Sequence, residues 1–178
     1  MKAFVPKNFA LAAIVLAGVL GLPHPALAYS PAGAQMAGPG GTNINVFGMV
    51  FPCTTTLTVN VASGGAAVVG GVSFGAPGST ACPNIVANNL PWTFGPATLV
   101  GPGVYQAVVS GVGVAISLPG TPSPITCAGS VTVRLDQNVT PHRLTFVGIL
   151  TTGLPTPGQS CAFTTWPSAY LPTGLTAP

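Results

Sequence analysis

The residues best equipped for chemistry are four cysteines, Cys53, Cys82, Cys127 and Cys161, which could bind a metal, cycle redox state or cross-link. Metal and redox use both lack partners: there is no C-x-x-C, and His142 is the only histidine beyond the first 28 residues. An even set of cysteines in an exported chain reads instead as two disulfides. An internal echo selects the pairing. Cys53-Thr-Thr-Thr-Leu-Thr-Val-Asn-Val61 and Cys127-Ala-Gly-Ser-Val-Thr-Val-Arg-Leu135 share the pattern C-x-x-x-[LV]-T-V-x-[VL], and a second cysteine follows each. The expected bonds are therefore Cys53–Cys82 and Cys127–Cys161. Each would constrain the unfolded chain by about 3 to 4 kcal/mol in the chain-entropy model.

Acid-base equipment is almost missing. Beyond residue 28 the charged side chains are Arg134, Asp136 and Arg143 alone, where an average domain carries roughly a quarter charged residues. Ser160 and Ser168 lack a suitably spaced histidine, and no G-x-S-x-G elbow occurs. A triad of serine, His142 and Asp136 would need its acid and base to converge from opposite sides of one turn. Glycosidase chemistry needs paired carboxylates, and Asp136 stands alone. Two arginines make no nucleic-acid patch. Nor is there an iron cluster, haem motif or dinucleotide fingerprint, so neither catalytic, cofactor nor metal residues are assigned. Arg134 and Asp136 lie two apart on a strand and keep one face wet. Asn138-Val139-Thr140 has the form of a glycosylation sequon, but Pro141 follows it and it carries no weight.

The start of the chain has the three parts of an export leader: Lys2 and Lys7, the apolar run Phe9 to Leu22, and Ala26-Leu27-Ala28. Cleavage after Ala28 would make Tyr29 the first mature residue. The run is short of the roughly 20 residues that span a bilayer and is broken by Pro23 and Pro25, so no stable membrane span is expected after cleavage. The expected location is secreted, extracellular or at the cell surface.

The elements that must position these residues follow period two. Leu57, Val59 and Val61 alternate with Thr56, Thr58 and Asn60, and Val131, Val133 and Leu135 with Thr132, Arg134 and Asp136. Further strand-type runs are Asn45 to Val50, Ala66 to Phe74, Ala97 to Val100, Val104 to Val109, Val112 to Leu118, Arg143 to Leu150 and Ser160 to Thr164. Clusters such as Ser63-Gly64-Gly65 and Gly101-Pro102-Gly103 turn the chain between them. An all-β antiparallel sandwich or barrel of about 8 to 10 strands with two disulfides is expected. The domain plan is a leader over 1–28, a flexible lead-in over 29–42, one β domain over 43–165 and a proline-rich tail over 166–178.

With so few charges, outward strand positions must be Thr, Ser, Asn, Gly and Ala, which leaves apolar surface in water. Such a surface adheres to apolar material or to copies of itself. The segment Cys82-Pro83-Asn84-Ile85-Val86-Ala87-Asn88-Asn89-Leu90-Pro91-Trp92-Thr93, with the Cys53-x-x-x-Leu-Thr-Val strand, Gly111-Val112-Gly113-Val114 and Cys127-Ala128-Gly129, resembles the PraB family of secreted alkane-oxidation activator proteins. The resemblance runs from about Val46 to Phe163. It departs where Arg134 stands in place of an expected aromatic after Cys127, and the proline-rich tail extends past the family's usual end.

The resemblance implies a secreted protein that promotes contact with, or growth on, n-alkanes without oxidising them. Trp92, Phe94 and Tyr105 are the candidate apolar contacts, although core packing is the preferred role for Trp92. The expected partners are hydrocarbon or other apolar material, with self-association as a further outcome. The alternative is a surface, biofilm or fibre subunit assembling by strand addition, with Tyr29 to Gly41 or Ile44 to Val50 as donor.

Overall fold

Along the two cysteine-led strands, Leu57, Val59 and Val61, and likewise Val131, Val133 and Leu135, are buried, while Asn60 and Arg134 between them are exposed. That alternation, repeated around the sheet, curls it about one apolar core. The computed structural model describes residues 28–76, 79–120, 122–152, 160–165 and 171–177. All but the last residue of the expected leader lies outside them.

The described residues form eleven strands. In chain order these are β1 (Gly33–Val46), β2 (Met49–Val61), β3 (Ala67–Gly75), β4 (Ile85–Asn88), β5 (Trp92–Phe94), β6 (Thr98–Gly101), β7 (Val104–Ile116), β8 (Ile125–Asp136), β9 (His142–Thr152), β10 (Ser160–Thr165) and β11 (Leu171–Thr173). A 3-10 turn, Cys82–Asn84, precedes β4. Antiparallel pairing runs β1–β2–β3–β5–β7–β8–β9–β10 and returns to β1, so the architecture is an eight-stranded barrel. Strands β4 and β6 add to β7, and β11 bridges β1 and β9. Both disulfides have the expected pairing, with Cα separations of 5.6 Å for Cys53–Cys82 and 6.1 Å for Cys127–Cys161.

Four expectations about elements are corrected. The lead-in over 29–42 is structured: Gly33 to Gly41 lie in β1, paired with β2 from Gly33↔Val61 upward. Gly38 and Pro39 lie at a bulge between Ala37 and Gly40, where two backbones approach closely. A Cβ on Gly38, whose φ is +117°, would lie 2.6 Å from the Thr55 carbonyl oxygen. Over residues 171–177 the tail is also held, since β11 pairs with both neighbours and Leu171 and Leu175 are fully buried, while the rest of it lies outside the described residues. The run Asn45 to Val50 is a hairpin, with Phe47 and Gly48 as its turn. Finally, the runs from Val104 and Val112 are one strand, β7, with an irregularity between Val109 and Val112 where Gly111 has φ +75°.

Candidate functional site

The polar residues hold the fold at one end of the barrel. Asp136 Oδ1 accepts hydrogen bonds from the backbone N–H and the side-chain amide of Asn138, both at 3.0 Å, which closes the turn between β8 and β9. Asp136 stands opposite Arg143 in the strand register, and His142 Nδ1 lies 2.9 Å from the Leu175 carbonyl oxygen. Asp136 and His142 thus have structural partners. Ser168 lies outside the described residues. Among those residues no three His, Cys, Asp or Glu side chains gather as a metal-binding group, and no helix is long and apolar enough to cross a membrane.

Of the aromatic candidates, Trp92 and Phe94 lie inward and are not outer contacts, whereas Tyr105 is half-buried. Trp92 is 3% exposed and donates its indole N–H to the Asn88 carbonyl at 2.8 Å. The preferred core role of Trp92 is the one the structure contains. Phe94 is buried and meets Tyr29 edge-on, with ring centroids 5.3 Å apart. Tyr105 is half-buried and packs against the core. Tyr29, Phe94, Tyr105, Leu135 and Leu144 line a cavity of about 10 Å³, room for about one water molecule. A second cleft, of about 220 Å³, opens beside Tyr29, Gly65 and Pro96. Burial also explains the chemistry of Tyr29: its hydroxyl donates to the Gly95 carbonyl at 2.9 Å, and loss of hydration pushes its pKa up to about 12.

Aliphatic side chains occupy the outer face instead. Val147 and Ile149, two apart on β9, are 63% and 72% exposed. Across the strands, exposed Val108 shares a row with Thr132, Val147 and Thr164, and Ile149 shares the next row with Ala162, Asn45 and exposed Val50. No charged residue belongs to either row. Sequence reasoning expected weakly hydrated outward positions but did not identify these valines and this isoleucine, because alternation alone leaves both faces of such apolar strands eligible for the core.

The barrel ends are unlike. At one end lie the turn after Asp136, with Arg134, His142 and Arg143, and the first and last described segments, with Ser30 bridged to Thr176. At the other lie the Phe47-Gly48 turn and the Cys127–Cys161 disulfide, beside the pairs Val46↔Met49 and Val46↔Cys161. Every charged side chain of the sequence beyond Lys7 is at the first end.

A family model described as alkane oxidation protein activator PraA/PraB-like matches residues 1–171 of the chain. No curated protein and no solved structure matches it.

Proposed function

The chain belongs to the PraA/PraB-like alkane oxidation protein activator family, and from that premise we propose that it promotes contact with n-alkanes physically, as an exported, non-enzymatic barrel. The observation that carries this reading is the uncharged outer face formed by Val50, Val108, Val147 and Ile149. Moving a wholly exposed Val or Ile side chain from water into an apolar phase gains about 1.5 to 3 kcal/mol, so several partly exposed ones together hold a small protein at an oil surface. Charge would oppose that transfer, and the face carries none.

The interior supports the same assignment by exclusion. Pockets for small ligands usually measure about 300 to 1,000 Å³, and the cavity within the barrel is about 10 Å³. The 10 Å³ cavity is too small for an alkane and the cleft of about 220 Å³ opens beside Tyr29, Gly65 and Pro96, so the contact is assigned to the outside of the barrel. The closed sheet and its two disulfides resist the unfolding that adsorption favours. The leader pattern and the disulfides both support export, where alkane droplets are met.

The fibre alternative draws less support. Both donor segments lie in the barrel: β1 is bonded to β2 on one side and to β10 and β11 on the other, so addition would have to remove it. The test is the pair Val147→Lys and Ile149→Lys in the disulfide-bonded mature chain. Exposed strand positions tolerate lysine, so the fold should persist while adsorption to hexadecane droplets falls at least about tenfold. Unchanged adsorption of that variant would remove this face from the account.

A further inference from the structure

Phe47 breaks two local rules at once. The Phe47-Gly48 turn joins β1 to β2, and its two residues have φ of 53° and 81°. Two successive positive φ values are those of a type I′ hairpin, whose first position favours Asn, Asp or Gly because a bulky side chain there is strained. Phe47 takes that position and is nevertheless 37% exposed, so core packing does not account for it. Met49 and Val50, next along the hairpin, are 46% and 52% exposed. A side-chain bond braces the turn: the Gly48 N–H donates to Asn45 Oδ1 at 3.0 Å. Apolar bulk, backbone strain and exposure coincide at this one turn, where an Asn-Gly pair would serve folding better.

Position on the barrel gives the turn its meaning. The charged residues Arg134, Asp136 and Arg143 are all at the opposite end. A molecule whose charged side chains sit at one end and whose Phe47, Met49 and Val50 side chains are exposed at the other has a preferred orientation at an oil-water boundary. Cys161 is the register partner of Val46, the residue before Phe47, so the Cys127–Cys161 bond braces the strand beside the turn. Resting on the alkane-contact reading above, we infer that the β1–β2 hairpin is the insertion tip. Phe47, Met49 and Val50 enter the hydrocarbon first, and the barrel stands end-on with Arg134, Asp136 and Arg143 in water. The aliphatic rows ending at Val50 and Ile149 continue the apolar surface back from that tip.

Dynamic tension at a hexadecane droplet tests this with the disulfide-bonded chain from Tyr29. The variant Phe47→Asn/Met49→Thr/Val50→Thr is compared with wild type and with Leu99→Thr/Val100→Thr, which removes exposed apolar side chains on β6 at the charged end. Because Asn-Gly suits the turn, the first variant should melt no lower than wild type, which separates lost adsorption from lost folding. The expected result is that it needs about tenfold more protein for the same tension while the β6 variant matches wild type. In Phe47→Trp the added fluorescence should shift to the blue and be quenched by a brominated alkane, and in Leu99→Trp it should not. A tip variant that adsorbs as wild type does would overturn the end-on orientation and leave the outer-face reading standing. A wild-type protein that does not adsorb would overturn both.

Discussion

Ser30 and Thr176, 146 residues apart in sequence, exchange two backbone hydrogen bonds of 3.0 and 2.7 Å. Both described ends of the chain are thereby stitched together at the charged end of the barrel. The contact continues inward through Leu175 and Ala177, which are buried, and Gln137 Nε2 donates to the Ala177 carbonyl at 2.8 Å. The segment 171–177, within a tail whose proline-rich composition read as loose, therefore closes the fold.

Leu175→Ala should destabilise the barrel by about 2 to 5 kcal/mol, the range for truncating a fully buried leucine. Leu175 is completely buried and lines the small cavity with Leu144. Urea unfolding measures the change, and a cost below about 0.5 kcal/mol, the level of ordinary surface substitutions, would mean that the tail is not docked.

The elevated Tyr29 pKa makes stability depend on alkaline pH. The folded chain holds the phenolic proton up to about pH 12, whereas an unfolded tyrosine releases it near 10. The unfolded state therefore binds fewer protons across that window, and its share of stability is complete below pH 10 and declines as pH rises toward 12. Tyr29→Phe should remove that part of the decline while costing about 1 kcal/mol at neutral pH for the lost bond to Gly95. Parallel stability curves for wild type and Tyr29→Phe from pH 9 to 12 would contradict the burial of this phenol.

Thr42 and Thr55 are fully buried, with their hydroxyl oxygens 2.6 Å apart across β1 and β2. Thr42 Oγ1 also donates to the Cys53 carbonyl at 3.4 Å, so removing the Thr42 hydroxyl strands that of Thr55, whereas removing the Thr55 hydroxyl leaves Thr42 this longer bond. Thr42→Val should cost about 1 to 3 kcal/mol, Thr55→Val less, and the double variant no more than Thr42→Val alone. Additive losses in the cycle would show that the two hydroxyls are independent.

How much of this was legible in the sequence depended on whether local pattern or tertiary register carried the information. Alternation placed Leu57, Val59, Val131 and Val133 correctly because period two has one meaning in a half-buried strand. The repeated cysteine pattern gave both disulfides for a similar reason, since each copy brings its own partner. β1 was illegible because Gly38 sits where the Thr55 backbone leaves little room and Ala37 is fully buried, and small residues there look like linker composition. Phe47 was hidden inside an apolar run that reads as one strand, since Phe-Gly is not a usual hairpin signal. The single hint was Gly48 in the middle of that run. Trp92 and Phe94 were offered as contacts because aromatic type suits an interface, yet type does not say which side of a sheet a residue faces.

The central claim, that this barrel acts on hydrocarbon by surface contact, is tested most directly by pendant-drop tension against hexadecane with the mature, oxidised chain taken as a single gel-filtration species. The account predicts that a small monomeric species lowers the tension and emulsifies hexadecane while leaving the alkane chemically unchanged. Tension equal to that of buffer, together with elution as large ordered assemblies, would contradict it and favour a surface fibre.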